Sequence, residues 1–593
     1  MKYEHKNTSK AKRQLFFQFL DRIYILFNVE KARHCGKFDS HPRTKLWHIY
    51  CIKPRYRFDK LDLPMTENLL SAFDKLLKFE GDADSHCRII CENRDEFGNL
   101  SQTQESYIHN RICNFLSDDF NITQNLALSV FFLSIYASYL HDEKINPYIY
   151  KVFNQFSNFK VKNAFIYNLL VIAFRKNIAL DEPLAKIFHS LVLEFKAHYS
   201  DLKLEYDTKD KRKTILLTTS QILNENHSPT VRLLELYDVL LELGFDPLVV
   251  QIQSYPIDYD LAVIEPSKGN YIDVPEGLRL WEFGKREVPV YNLEANRFNK
   301  NSFKDFFEIL NKVKPALMLS VGGFNVFQEF LASYIPSLID TSSTMLVPSP
   351  FSSLVSVFKK LSPTQISALE SANLDPKKYK KLVNQAVKVE ALFGRDLATK
   401  SDFGYKTEEI LLAIVSNRLD WEIGHDEIMF IKNTLDLDPK IKFLLIGSYR
   451  DQLRLQVARE CGQRVEFHGP TKEIKPLLNM VDFLINTKRL GGGGAAGTAI
   501  GHGTLVFSIN YGDVASFLPP EYLADDYDQL LQLVEKHLHF DISACQQMAY
   551  SIFDQFSSLK DNVQKLLKLV EWKQAKSTIN AISQRSPSSL RNC

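Results

Sequence analysis

Two rhythms of apolar and polar positions divide the chain. From about residue 10 to 205 apolar residues recur at i, i+3, i+4 and i+7, as in "ENLLSAFDKLLKF" (67–79) and "EPLAKIFHSLVLEFKAHY" (182–199), the spacing of helices with one buried face. Few β-rich runs interrupt them and no fixed-period repeat emerges, so residues 1–205 read as an all-α N-terminal domain. After the charged stretch "YDTKDKRK" (206–213) the pattern changes. The compact run "TILLTTSQI" (214–222) predicts a buried strand, "PTVRLLELYDVLLELGF" (229–245) a helix ending at Gly244, and "DPLVVQIQ" (246–253) a second strand, together a β-α-β unit.

Further strands are predicted at "DLAVIE" (260–265) and "ALMLSVG" (316–322). The alternation resumes with strands at 409–417, 440–448, 464–469, 482–487 and 504–510, separated by helices near 425–435, 451–461 and 473–481. Strands alternating with helices imply mostly parallel sheets covered on both faces. The predicted class is α/β, with two doubly wound, Rossmann-like domains at 211–395 and 405–576 facing a cleft and a flexible tail at 577–593. One stretch stands out against this pattern. "RLGGGGAAG" (489–497) puts four consecutive glycines after a strand, a costly choice unless something must approach the backbone closely.

Composition is ordinary for a globular chain: 593 residues, 45% hydrophobic and 24% charged. With 73 basic and 71 acidic residues the net charge is +2, which gives no global field of the kind expected for a nucleic-acid partner. The N-terminal stretch has a basic opening and an apolar continuation, but Asp21 and Arg22 interrupt it and no small-residue cleavage site follows. "LALSVFFLSIYASYL" (126–140) is shorter than the roughly 20 residues of a membrane span, so a cytoplasmic protein is expected, with a membrane-surface first helix as the alternative. Cys35, Cys51, Cys87 and Cys91 lie near His34, His41, His48 and His86, yet the spacings match no paired zinc pattern, and reduced thiols are expected.

The succession "VSNRLDWEIGHDEIM … FLLIGSYRDQL … RVEFHGPTKEIKPLLNMVDFLINTKRLGGGGAAGTAIGHGTLVF" resembles, in unbroken order, the C-terminal domain of GT-B glycosyltransferases. The family reads there as a "GRL-x-x-EKG" turn, a short glycine turn, "V-x-F-x-G", a glycine-rich loop and "C/H-G-T-P-V". The resemblance implies two Rossmann-like domains of GT-B type and a nucleotide-sugar donor, expected to be a UDP-sugar, bound by the second. The helical region placed before such a core is similar in layout to bacterial cytoplasmic protein N-glycosyltransferases and O-GlcNAc transferases.

Carried onto this chain, the resemblance makes Arg418 a donor-phosphate ligand, a role that suits a permanently charged, forked side chain. The family's lysine of "EKG" is replaced, since the chain reads Glu422-Ile423-Gly424, and Lys488 and Arg489 are expected to supply that charge. Gly491, Gly492, Gly493, Gly494, Ala495, Ala496, Gly497 and Thr498 form the expected phosphate-binding loop and helix start. Gly447, His468 and Gly469 are expected to frame the nucleotide base. Thr498 stands where many retaining members have a ribose-binding glutamate, which leaves stereochemistry open. On the acceptor side the loop "LNENHSP" contains Asn226 and His227, the latter a candidate general base, and "SVGGFNVFQEF" supplies Gly322 and Gly323. His502 is expected to play a structural part.

The expected activity is transfer of a sugar from a nucleoside-diphosphate donor to a protein or glycan acceptor in the cleft, with neither metal nor cofactor. A non-catalytic GT-B partner of a transferase and a nucleotide-sugar epimerase are the alternatives. Peripheral membrane contact and homo- or hetero-oligomerisation are left open.

Overall fold

The computed structural model describes residues 65–569, apart from 79–82, 94–96, 98–99, 141–144, 177, 179, 207–212, 224–226, 257–273, 284–285, 382–398, 472–473 and 557. Fourteen strands are described in two sheets. The first is built from β1 (Thr214–Thr219), β2 (Asp246–Ile252), β3 (Gly277–Phe283), β4 (Arg286–Leu293), β5 (Leu317–Val321), β6 (Ser337–Asp340), β7 (Leu354–Val357) and β8 (Tyr379–Lys381). Their order is β3-β4-β2-β1-β5-β6-β7-β8, parallel throughout except for the antiparallel β3–β4 pair at one edge.

Alternate residues of these strands serve two cores. Leu216, Leu248, Val250 and Met318 face one side, Ile215, Leu217, Val249 and Leu319 the other. The first side is covered by the helices Lys300–Val313 and Val326–Ala332 and, beyond them, by the N-terminal helices, all within one hydrophobic cluster. Phe195, on the helix Asp181–His198, is fully buried and makes ring contacts with Phe298, Phe303, Phe327 and Phe330. The sequence boundary at 205 therefore marks a change of rhythm and not a break in packing. The opposite side is covered by the helix Ser228–Glu242 and by a helix at 559–569, whose Leu559, Val563 and Leu566 join that cluster. The stretch 559–569, grouped by rhythm with 405–576, thus packs on the first sheet.

The second sheet contains β9 (Ile410–Ser416), β10 (Ile441–Gly447), β11 (Val465–His468), β12 (Phe483–Asn486), β13 (Leu505–Ile509) and β14 (Leu523–Ala524). Its order, β11-β10-β9-β12-β13-β14, is parallel throughout and is the doubly wound order 3-2-1-4-5-6. The chain reverses its direction of growth between β9 and β12. Sheets of this order bind ligands there, at the carboxyl ends of the strands.

The predicted strands at 214–222, 246–253, 316–322 and all five of the second half coincide with described strands, while "DLAVIE" (260–265) and the tail 577–593 lie outside the described residues. The apolar run 126–140 forms the helix Leu126–Ile135 continued by a π-turn, Tyr136–Leu140, and no helix among the described residues is long and apolar enough to cross a membrane. Cys35, Cys51, His34, His41 and His48 also lie outside the described residues, and among the described ones no group of three His, Cys, Asp or Glu could hold a metal.

A single shared core has a measurable consequence. Phe195→Ala should cost about 3–5 kcal/mol, the usual penalty for emptying a fully buried aromatic site. Hydrogen exchange should then speed up together in the helix Asp181–His198 and in β1. Loss of protection in the helix with β1 unchanged would show that the two fold separately.

Candidate functional site

The geometry at that reversal starts from the end of β9. Ser416 Oγ accepts the Arg418 backbone N–H at 2.9 Å, and a single helical turn, Leu419–Glu422, then brings residues 418 and 422 to the same side. Glu422 is 5% exposed and its carboxylate meets two guanidinium groups: Arg418 Nη2 at 2.8 Å from Oε1, and Arg489 Nη1 at 2.7 Å from Oε2. Burial pulls the Glu422 carboxyl upward, but Arg489 and Arg418 outweigh it and hold the group below its ordinary value. Arg418 remains 28% exposed, and its guanidinium carbon lies 4.5 Å from the centre of the Phe174 ring.

Arg489 departs from the sequence expectation. The extended segment after β12 alternates, so that Thr487 and Arg489 are buried while Lys488 between them is exposed. The Arg489 side chain is 4% exposed and its donors are spent internally, on Asn486 Oδ1, Val415 O and Glu422, each at 2.7 Å. It is an internal strut for the glycine loop, not a cation turned to the cleft. Lys488 keeps its side chain at the surface, and its backbone N–H donates to Tyr527 Oη at 3.1 Å. Tyr527 in turn donates to Glu427, whose other oxygen accepts the Gly424 N–H.

These contacts account for part of the glycine run. Gly492 has φ +101°, and a side chain there would overlap Asn486 Oδ1 and approach Arg489 Nη2 to 2.7 Å. A β-carbon on Gly491 would lie 3.2 Å from Arg418 Nη2. The helix Gly493–Gly501 then begins, with Gly493, Ala496 and Gly497 buried against the second core and Gly494 exposed. Ala495 and Thr498 are half-buried, and the Thr498 hydroxyl donates back to Gly494 O at 2.8 Å. A β-carbon on Gly494 would lie 4.0 Å from Ser228 Oγ, the first residue of the helix Ser228–Glu242 on the other sheet. The starts of the two helices thus lie close together, each with the positive partial charge of a helix N-terminus. Such a place favours an anion.

On the first-sheet side His227 stands at the N-cap position of the helix Ser228–Glu242, without a side-chain cap hydrogen bond. Its Nδ1 lies 2.8 Å from Thr230 Oγ1, and burial lowers its pKa to about 4, so the ring is neutral at physiological pH. Asn226 lies outside the described residues. Gly322, φ +99°, makes the turn after β5, and Gly323 packs where a side chain would overlap Val347.

A second bridge joins the sheets. Thr344 N–H, on the loop between β6 and β7, donates to Asp513 Oδ1 at 2.7 Å, and Asp513 N–H donates to Leu490 O at 3.0 Å. The loop is fixed from behind by Glu329, which accepts from Ser349 Oγ at 2.6 Å, Phe351 N at 2.9 Å and Ser352 Oγ at 3.0 Å. Burial pushes the Asp513 carboxyl up to about 7 against the pull of Thr344, Arg489 and Arg418.

The three residues expected near the base occupy the outer strands. Gly447, φ +136°, ends β10 where any side chain would overlap Ser416 O; His468 ends the edge strand β11 with Nε2 3.3 Å from Tyr405 Oη; Gly469 is exposed. His502 is buried, with Nδ1 donating to the Thr498 carbonyl oxygen at 2.8 Å, as a structural residue would be. Sequence reading did not find Phe174, Glu422 as a double acceptor, Thr344 or Asp513. The only local sign of Asp513 was its place directly after a strand and a glycine.

No protein-family model matches the chain, and a search of curated proteins finds no match. Among solved structures, a glycosyltransferase from Rickettsia africae is similar at TM-score 0.45 and 14% identity, over 61% of this chain and 99% of that one. A mutant O-GlcNAc transferase from Thermobaculum terrenum is similar at TM-score 0.46 and 11% identity, over 87% of this chain and 98% of that one. Anabaena HepE, solved in complex with UDP, is similar at TM-score 0.43 and 12% identity, over 60% and 99%. With TM-scores below 0.5, the fold stands on the strand orders of this chain itself, two sheets dominated by parallel pairs with a helical region before them.

Two predictions concern this site's charges. Arg489→Met should cost about 3–5 kcal/mol in urea denaturation because it leaves buried Glu422 short of a partner. Arg418→Met, at a partly exposed pair, should cost about 1 kcal/mol or less. Equal costs would contradict the division of labour between the two arginines. Asp513, raised to about 7 from an ordinary 3.8, contributes stability that is fully present below its unfolded value and lost as pH rises through about 7. Urea midpoints should therefore fall from about pH 4 to about pH 7 and level off above it, and Asp513→Asn should flatten that slope.

Proposed function

We propose that the chain is a GT-B glycosyltransferase that takes a nucleoside-diphosphate sugar, with UDP as the expected nucleotide, and transfers the sugar to a protein or glycan acceptor held in the cleft. The observation that carries this reading is that the glycine run after β12 has Arg418 beside Gly491 and the start of the helix Ser228–Glu242 beside Gly494, next to the switch between β9 and β12. A diphosphate leaving group develops negative charge as the glycosidic bond breaks. Fixed N–H dipoles and a guanidinium stabilise that charge without reorganising. Exposed Lys488, three residues before Gly491, adds a further positive charge near the glycine run.

His227 is the group we assign to the acceptor. In its neutral form the imidazole accepts a proton from an acceptor hydroxyl, provided that Nδ1 donates to Thr230 and leaves Nε2 to the cleft. No metal and no cofactor enter the proposal; the nucleotide sugar is a substrate. A second reading, a nucleotide-binding partner without turnover, is favoured by one observation. Thr498 turns its hydroxyl to Gly494 O and places no acid where many relatives hold the ribose.

Arg418→Ala should weaken UDP binding about 10- to 100-fold, the worth of one charge-assisted contact, in calorimetry on a protein that keeps its fold. Unchanged affinity would remove Arg418 from the site. With a donor and acceptor in hand, kcat/KM should fall on an acid limb near pH 4, where His227 takes up its proton, and His227→Ala should lower kcat by about 10²–10⁴-fold. UDP binding without turnover of any donor would favour the non-catalytic reading.

A further inference from the structure

The helical region does more than cover the first sheet. Its helix Phe159–Lys176 is anchored in the core shared with that sheet, through Phe165, Ile166, Leu169, Ile172 and Ala173. Phe174, next along the helix, is only half-buried, and its ring faces Arg418, which belongs to the second sheet. The stack therefore spans the cleft. Arg418 is gripped at one edge by Glu422, while the ring face at 4.5 Å limits how its plane can tilt. Gly491 lies beside the same guanidinium with room for no side chain of ordinary contact distance between them.

We propose that Phe174 is a positioning residue for Arg418, so that the N-terminal helical region forms part of the wall of the nucleoside-diphosphate site. The proposal rests on the reading of the cleft given above for its consequence on binding, and on the stack alone for its geometry. A long arginine side chain loses rotamer freedom when it binds phosphate, and a guanidinium already held by a carboxylate and a ring has less to lose. Phe174 is carried by one sheet's core and Arg418 by the other sheet. Their contact forms only when the two approach as they do here, and donor affinity then depends on where the helical region sits.

The test uses full-length protein with isotope-labelled arginine, the Arg418 signal being identified by its disappearance in Arg418→Lys. The ring should shift the Arg418 Nε–H proton upfield. Phe174→Leu should abolish that shift and weaken UDP binding about 3- to 10-fold, while Phe174→Tyr should preserve both. In an Arg418→Ala background Phe174→Leu should have no further effect on UDP affinity. An Arg418 signal indifferent to Phe174→Leu, or a loss of affinity that persists undiminished without Arg418, overturns the proposal. A ring-dependent Arg418 signal in a protein that binds no UDP would uphold the positioning role and refute the nucleotide reading instead.

Discussion

Glu422 is one carboxylate serving two guanidinium groups in a nearly dry setting, and much of the second sheet's working end is organised around it. A carboxylate buried to that degree is tolerable only with its charge compensated, and Arg489, buried beside it, is the partner it cannot lose, while the partly exposed Arg418 adds less. Arg489 turns inward and pins the segment after β12 to Asn486 and to the carbonyl of Val415 on β9, across the point where the strand order reverses. Arg418 turns outward toward the cleft. The glycine run is permissive because of this pair, since Gly491 and Gly492 leave room for guanidinium groups of the protein itself. Close approach of a ligand is a further use of the same opening.

The first sheet contributes through rigidity. Buried Glu329 ties the loop between β6 and β7 to the helix Val326–Ala332 with three hydrogen bonds, and the loop carries Thr344 to Asp513 on the far side. Burial raises the Glu329 carboxyl above its ordinary range even though Ser349, the Phe351 amide, Lys378 and Ser352 pull against it. The two carboxylates, Glu329 behind the loop and Asp513 in front, make the seam a place where small electrostatic changes are felt on both sheets. The helical region adds Phe174 to the same neighbourhood.

Much of the architecture was legible because long apolar runs bury on both faces of a parallel sheet. β1, β2, β5 and the five long or flanked strands β9 to β13 all announce themselves in this way. The strands that escaped have physical reasons for doing so. β6, β7, β8 and β14 are four, four, three and two residues long, β3 is an edge strand whose Arg279, Leu280 and Glu282 face solvent, and β4, though eight residues long, contains Pro289, a residue that argues against a strand reading. At the site, Arg418 and the glycine run were visible as local patterns. The burial of Arg489 was not, because its carboxylate partner stands sixty-seven positions away and is brought near only by the pairing of β9 with β12. Phe174 and Thr344 were invisible for the same reason, each belonging to an element whose own rhythm speaks only of its core.

The closing helix at 559–569 changes what kind of motion the two sheets can have. The chain passes from the first sheet to the second between β8 and β9, and it returns after the helix Ile542–Phe553 to seat Leu559, Val563 and Leu566 on the first sheet's core. A body held by one tether can swivel about it in any direction, whereas a body held by two is confined to turning about the line that joins them. Two crossings of the chain restrict the relative motions of the two sheets more than one crossing would, and the Arg418–Phe174 contact lies between the bodies so joined.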